Sequence, residues 1–204
     1  MAEKTNLFVG VRVDLSMKTC KPGKVKRHNN GFTSIELMVV LGILIIAVGI
    51  AIPAVSTYVP RYKLRAEARK IYSDMQRARL EAVKRNRNVI ISFTPSASPG
   101  QGTYTIFVDD GSGGGTAGDG TRNGSEQILT TVQMSPSVSL YAASFTNGGP
   151  ASTKTGFTSR GLLWNNLAGD VFIRSSKISR YYKITLTAAG GLRMSTSNDG
   201  THWS

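Results

Sequence analysis

Glu36 carries the clearest chemical message in this chain. It stands near the start of an apolar run, Gly31-Phe32-Thr33-Ser34-Ile35-Glu36-Leu37-Met38-Val39-Val40-Leu41-Gly42-Ile43-Leu44-Ile45-Ile46-Ala47-Val48-Gly49-Ile50-Ala51-Ile52. An ionised carboxylate is costly in hydrocarbon, so an acid in such a run points to function. Other chemistry is sparse. The histidines are His28 and His202, one near each end, so no imidazole base falls within the body of the chain. The one cysteine, Cys20, lies before the apolar run and offers that body no disulfide and no thiolate ligand. Gly113-Gly114-Gly115-Thr116-Ala117-Gly118 fits the spacing of a dinucleotide-binding turn, but it sits in a glycine-rich stretch, 109–125, with no helical pattern after it. Asp109, Asp110 and Asp119 in that stretch could offer oxygens to calcium. Their spacing matches no EF-hand loop, and a solvated turn is the expectation. No catalytic set, metal site or cofactor site emerges, and the chain reads as a non-enzyme.

The elements that would position Glu36 follow from hydropathy and charge. Leu37 to Ile52 is 16 residues without a charge, and flanking apolar positions bring it near the roughly 20 residues that span a bilayer. Lys18, Lys21, Lys24, Lys26 and Arg27 precede it, which by the positive-inside rule keeps residues 1–31 cytoplasmic and sends the chain after about residue 58 across the membrane. Two plainer readings exist: a secretory signal cut near Ala54, and an uncleaved anchor. Neither has a use for Glu36. Pro53 and then Pro60 interrupt the helical pattern, since proline removes a backbone bond and bends a helix. Beyond them Leu64, Ala68, Ile71, Met75, Ala78 and Ala82 recur at steps of 4, 3, 4, 3 and 4, a helical stripe with basic residues on the other faces. Residues 32–87 would form one helix of about 80 Å at 1.5 Å per residue.

Composition then changes. Residues 88–94, 103–108, 127–133, 138–142, 171–174, 181–187 and 192–195 read as short strands. Tyr182, Ile184 and Leu186 alternate with polar neighbours, as in a sheet with one buried face. The expected fold class is α+β, a long N-terminal helix packed on an antiparallel sheet.

The charge balance is +13 over 204 residues. The segment 1–31 takes 7 of the 25 Lys and Arg residues and 2 of the 12 Asp and Glu residues, so from Phe32 onward 18 basic residues face 10 acidic ones, a balance of +8. Much of it lies in 61–87, at Arg61, Lys63, Arg65, Arg69, Lys70, Arg77, Arg79, Lys84, Arg85 and Arg87.

A basic leader, a Gly-Phe junction, a carboxylate at the fifth residue after it and then an apolar helix resemble the amino-terminal signature of type IV pilins and of the pseudopilins of type II secretion. The resemblance implies that a prepilin peptidase cuts between Gly31 and Phe32 and methylates the new terminus, Phe32. It also implies that Glu36 pairs with the terminal ammonium of a neighbouring subunit, setting register, and that Pro53 bends the helix. Residues 1–31 become a cleaved leader, 32–58 the methylated and transmembrane segment, 59–87 the periplasmic half of the spine, and 88–204 the β domain. Met17 opens a shorter leader that keeps most of the positive charge, and is the expected start of translation. The absence of cysteine after Cys20 suits the minor pilins and pseudopilins. The second half is similar to the branch that includes the type II secretion H subunit GspH and the minor pilins FimT and FimU. It shares with them the Arg- and Ala-rich helix, Tyr104 to Asp109 followed by Glu126-Gln127-Ile128-Leu129, Phe157 with Gly161, and a last strand opening at Gly190-Gly191-Leu192-Arg193.

The expectation is therefore a minor pseudopilin or minor pilin. It would be held in the bacterial inner membrane by a single span with its domain in the periplasm, and assembled with other pilins into a pseudopilus or pilus. The resemblance carries an alternative, a minor pilin that binds DNA during uptake. Its candidate residues are Arg174, Lys177, Arg180, Lys183 and Arg193, with Tyr181 nearby for stacking. Solvation of the sheet face accounts for the same residues, and Gly191 takes the place of the first arginine of the branch's closing motif.

Overall fold

Leu64, Ala68, Ile71, Met75, Ala78 and Ala82 are each at most 1 % exposed, so the 4-3-4-3 stripe is the face that the helix buries. The computed structural model describes residues 31–204, apart from the side chains of 51–57. Residues 1–30, nearly all of the expected leader and with it Met17, lie outside the described residues, as does the Pro53 side chain. The chain divides into two units, Met1–Leu44 and Ile45–Ser204.

In the first unit helix α1 begins; its bounds are Ser34–Arg85. Thr33 caps it. The Glu36 amide donates to Thr33 Oγ1 at 3.2 Å, and the Leu37 amide donates to the Thr33 carbonyl at 3.2 Å. Among the described residues no helix is long and apolar enough to cross a membrane. The charge-free part of the run with described side chains, Leu37 to Ile50, is 14 residues, short of the roughly 20 that a span needs.

In the second unit α1 ends at Arg85, two residues before the expected limit. Asn86 takes a left-handed backbone (φ 53°), and the Arg87 amide reaches back to the Ala82 carbonyl at 3.2 Å, a closing motif that satisfies a last-turn carbonyl. Eight strands follow: β1 Asn88–Thr94, β2 Thr103–Asp109, β3 Ile128–Gln133, β4 Val138–Thr146, β5 Lys154–Phe157, β6 Ala168–Ser175, β7 Tyr181–Leu186 and β8 Leu192–Ser197. They build two antiparallel sheets rather than the single sheet expected. One has the order β3-β2-β1-β5 and the other β4-β6-β7-β8. β4 changes register between Leu140 and Ala142, and a bridge from Phe145 to Ser152 joins its end to the approach to β5.

Tyr182, Ile184 and Leu186 are buried and the residues between them half-buried, as the alternation predicts. The helix touches both sheets. Tyr104 Oη on β2 donates to Asp74 Oδ2 at 2.6 Å, and Arg79 Nη1 donates to the Gly190 carbonyl in the β7–β8 turn at 3.3 Å. Ser135, just after β3, donates to Glu67.

Candidate functional site

Three places drew chemical expectations, and each can be built from its residues. The first is the junction at Gly31 and Phe32. Phe32 is exposed, and a Cβ placed on Gly31 would meet no heavy atom within 4 Å. Packing among the described residues therefore gives no reason for a glycine there. Glu36 falls on the third helical position, where the positive end of the helix dipole favours an acid. Together with Thr33 it forms the Thr-x-x-Glu pattern of a helix start. Hydropathy alone does not mark Thr33 as the cap; the Thr-Ser-Ile-Glu spacing does.

The second place is the loop between β2 and β3, where Asp119 keeps the expected solvated turn but Asp109 is buried. Asp109 is 1 % exposed, and its Oδ1 and Oδ2 accept from the amides of Gly118 at 2.7 Å and Gly120 at 2.8 Å. Glu126 is 2 % exposed and accepts from the amides of Gly111 at 3.1 Å and Asn123 at 2.8 Å. Burial pushes the Asp109 carboxyl up from its ordinary value, and the two glycine amides oppose that rise. Among the described residues no group of three or more His, Cys, Asp or Glu side chains is placed to hold a metal ion. The carboxylates are turned inward onto amides and serve as staples for the loop. Asp110 and Asp119 keep to local turns, accepting from the amides of Ser112 and Thr121.

The third place is the outer face of the β4-β6-β7-β8 sheet. The Arg174 guanidinium lies over the Tyr141 ring, 5.5 Å from its centre, and Nη2 donates to the Ala97 carbonyl at 3.3 Å. Lys183 Nζ lies 4.9 Å over the Trp203 ring. Arg180 donates to Asn198. Lys177 is exposed in the β6–β7 turn, and Arg193 is exposed on β8. Tyr181 meets Tyr141 edge-on at 6.2 Å and 83°. The structure thus keeps Arg174, Lys183 and Tyr181 on one aromatic face, while Arg180 is tied to its edge.

His202 lies past the last strand. Its Nδ1 is 2.6 Å from Asp199 Oδ2, and that carboxylate raises the imidazole above its ordinary value while the imidazole lowers Asp199. A raised folded value means that any stability from this pair is complete below the unfolded value of about 6.5 and is lost as pH rises through the folded value. Histidine NMR titration should place the His202 midpoint above that of an unstructured peptide, and Asp199→Asn should bring it back. An unchanged midpoint in Asp199→Asn would show that the pair does not form.

A family model described as type II transport protein GspH matches residues 67–190, which takes in the buried helix stripe from Ala68 onward and β1 to β7. The chain belongs to the GspH family of pilin-like proteins. This GspH-family chain is 42 % identical over 80 residues to the pilin-like protein PilA1 of Thermus thermophilus, a match over 39 % of this chain and 47 % of that protein. It therefore spans about half the length of that relative. Among solved structures, the minor pseudopilin EpsH of the Vibrio cholerae type 2 secretion system aligns over 65 % of this chain and 95 % of its own, at 16 % identity and a TM-score of 0.44. The type IV minor pilin FimU of Pseudomonas aeruginosa aligns over 64 % of this chain and 91 % of its own, at 16 % identity and a TM-score of 0.43.

Proposed function

We propose that this GspH-family chain is a minor pseudopilin or minor pilin, made as a precursor and built into a fibre with other pilin-type subunits. A prepilin peptidase cuts between Gly31 and Phe32 and methylates Phe32. The apolar run holds the subunit in the inner membrane, with the β domain in the periplasm, until it is extracted. The observation that carries this reading is a GspH-type domain joined to a junction whose glycine answers to no packing among the described residues. A peptidase that must thread the backbone through its own site supplies the missing reason for a small residue.

Glu36 has a part in both states of the subunit. At the third helical position its charge is favoured by the helix dipole in the isolated chain. In a fibre it neutralises the terminal ammonium of the next subunit, an amine that is largely protonated at neutral pH. Glu36→Ala should leave cleavage intact. Its recovery in sheared fibres, relative to membranes, should fall by an order of magnitude or more, because removing one partner of a buried pair costs roughly 3–5 kcal/mol. Fibre recovery equal to wild type would overturn the pairing role. Terminal sequencing that begins anywhere but at N-methylphenylalanine would overturn the processing.

The DNA-uptake alternative finds no support in the domain. Base stacking needs an open ring face. Arg174 and Lys183 lie over the faces of Tyr141 and Trp203, and Tyr181 is engaged edge-on.

A further inference from the structure

Helix α1 carries a second stripe, opposite the buried one. Tyr62, Ala66, Arg69, Ser73, Leu80 and Val83 are all exposed and follow the 4-3 spacing of a helix-packing seam, with one place in the series taken by Gln76. From Tyr62 to Val83 the seam runs about 32 Å at 1.5 Å per residue. Tyr62 is 76 % exposed, Leu80 70 % and Val83 51 %, large apolar surfaces for a helix whose other face is already buried. Ala66 and Ser73 between them are small enough to admit a second helix closely.

The charge on this face selects the partner. Arg65, Arg69, Arg77 and Lys84 line the seam, and all are exposed. Among the described residues the ion pairs are Arg85–Glu81 and His202–Asp199, so these four cations meet no carboxylate at ion-pair distance. A second copy set seam to seam could not supply one, since no acid stands on the seam, and the helix acids Glu67, Asp74 and Glu81 are half-buried beside the other face. Every carboxylate from Glu67 to Asp199 already accepts a hydrogen bond inside its own subunit: Glu67 from Ser135, Asp74 from Tyr104, Glu81 from Arg85, Asp170 from Thr185, Asp199 from Ser197, and the four loop acids from backbone amides. Two copies set seam to seam would face cation with cation, which disfavours the pair and enforces choice of another partner. An anionic bilayer is the poorer fit, since a helix lying on lipid needs a continuous apolar face, and here Arg69 occupies the middle of the seam.

From this we infer that the outer seam of α1 docks lengthwise against an acidic helix of a different pilin-type subunit, and that it rejects a second copy of this chain. The inference rests on the fibre-subunit reading and adds to it the docking face and the chemistry of the neighbour. Its mechanism is shape from the 4-3 seam and selectivity from the flanking cations.

The test uses the full chain in its own host, with p-benzoylphenylalanine in place of Ser73 and, as a control, in place of Ser176 in the β6–β7 turn. Ultraviolet crosslinking followed by mass mapping should yield, at Ser73 only, an adduct to a helical segment of another pilin-type subunit with a net negative charge. Combining the Ser73 probe with Arg69→Glu and Arg77→Glu should cut the adduct about tenfold or more, and changing two carboxylates of the mapped segment to lysine should restore it. An adduct to a second copy, to lipid or to a segment without excess acid would overturn the inference. So would no adduct from fibres that contain the chain. All of these leave the fibre-subunit reading standing. Absence of the unmodified chain from every fibre fraction would overturn that reading, and the inference with it.

Discussion

Phe145→Ala is expected to lower the unfolding free energy of the domain by about 3–5 kcal/mol. Phe145 is fully buried on β4, and its ring stacks on Phe93 of β1 with centres 5.6 Å apart and planes 25° from parallel. Phe93 in turn tilts against Tyr104 of β2 at 5.7 Å and 39°, and Tyr104 donates to Asp74 on the helix at 2.6 Å. One row of rings therefore joins the second sheet to the first and the first to α1. Truncation at Phe145 removes the ring from the end of that row, and strand backbones on both sides hinder collapse into the space. Phe172, half-buried on the outer face beside Tyr141 and Trp203, offers the comparison. Phe172→Ala leaves no enclosed cavity and should lose roughly 1–2 kcal/mol, on the scale of partial burial. Urea unfolding of the full chain in detergent, followed by far-ultraviolet circular dichroism, gives both values. Equal losses for the two variants would mean that the ring row does not join the sheets.

The same residues show what a sequence reader can and cannot see. The buried stripe of α1 was legible because a helix repeats its face every three to four residues whatever packs upon it. Strands β1 and β2 were legible from β-branched residues bounded by turn formers. β5 was not. Lys-Thr-Gly-Phe is short and holds a glycine, and it becomes a strand only by pairing with β1, where a Cβ on Gly156 would lie 2.5 Å from the Val89 carbonyl oxygen. Alternation along a strand marks its buried face but not the sheet it joins, so two sheets were read as one. β4 was cut short for a related reason, since its register shift after Leu140 breaks the two-residue period.

The candidate sites divide along the same line. Gly31, Phe32 and Glu36 form a local pattern, and nothing distant is needed to notice it. The role of the sheet cations depended on Trp203, which lies past β8 and folds back to within 5.7 Å of the Phe172 ring centre. No spacing rule brings those two residues together.

Asp109→Ala is expected to destabilise the domain by about 3 kcal/mol, from two lost hydrogen bonds to a charged acceptor at roughly 1.5 kcal/mol or more each. The bonds end on Gly118 and Gly120, whose backbones are left-handed (φ 86° and 70°), a conformation that other residues adopt only with strain. In that conformation the two amides point at one carboxylate. The loop carbonyls are held in turn: Trp164 Nε1 donates to Gly118 O at 3.1 Å, and Lys154 Nζ donates to Gly120 O at 3.0 Å. Loss of Asp109 should therefore release the Trp164 indole along with the loop, giving a red-shifted tryptophan emission before global unfolding. Asp109→Asn keeps one acceptor oxygen but turns an NH2 group toward the other amide, so its loss should be nearly as large. Asp119→Ala breaks only an exposed local turn and should change stability by less than about 0.5 kcal/mol, with no red shift. The pH dependence has a definite sign. Burial raises the folded carboxyl of Asp109 above its unfolded value near 3.9, so in the window just above that value the folded state binds the extra proton. The Asp109 contribution to stability should fall as pH rises through this window and level off above the folded value. Asp109→Asn removes that slope. A wild-type profile whose acid limb matches that of Asp109→Asn would show that the carboxylate is not desolvated, and would return the loop to the solvated turn first expected of it.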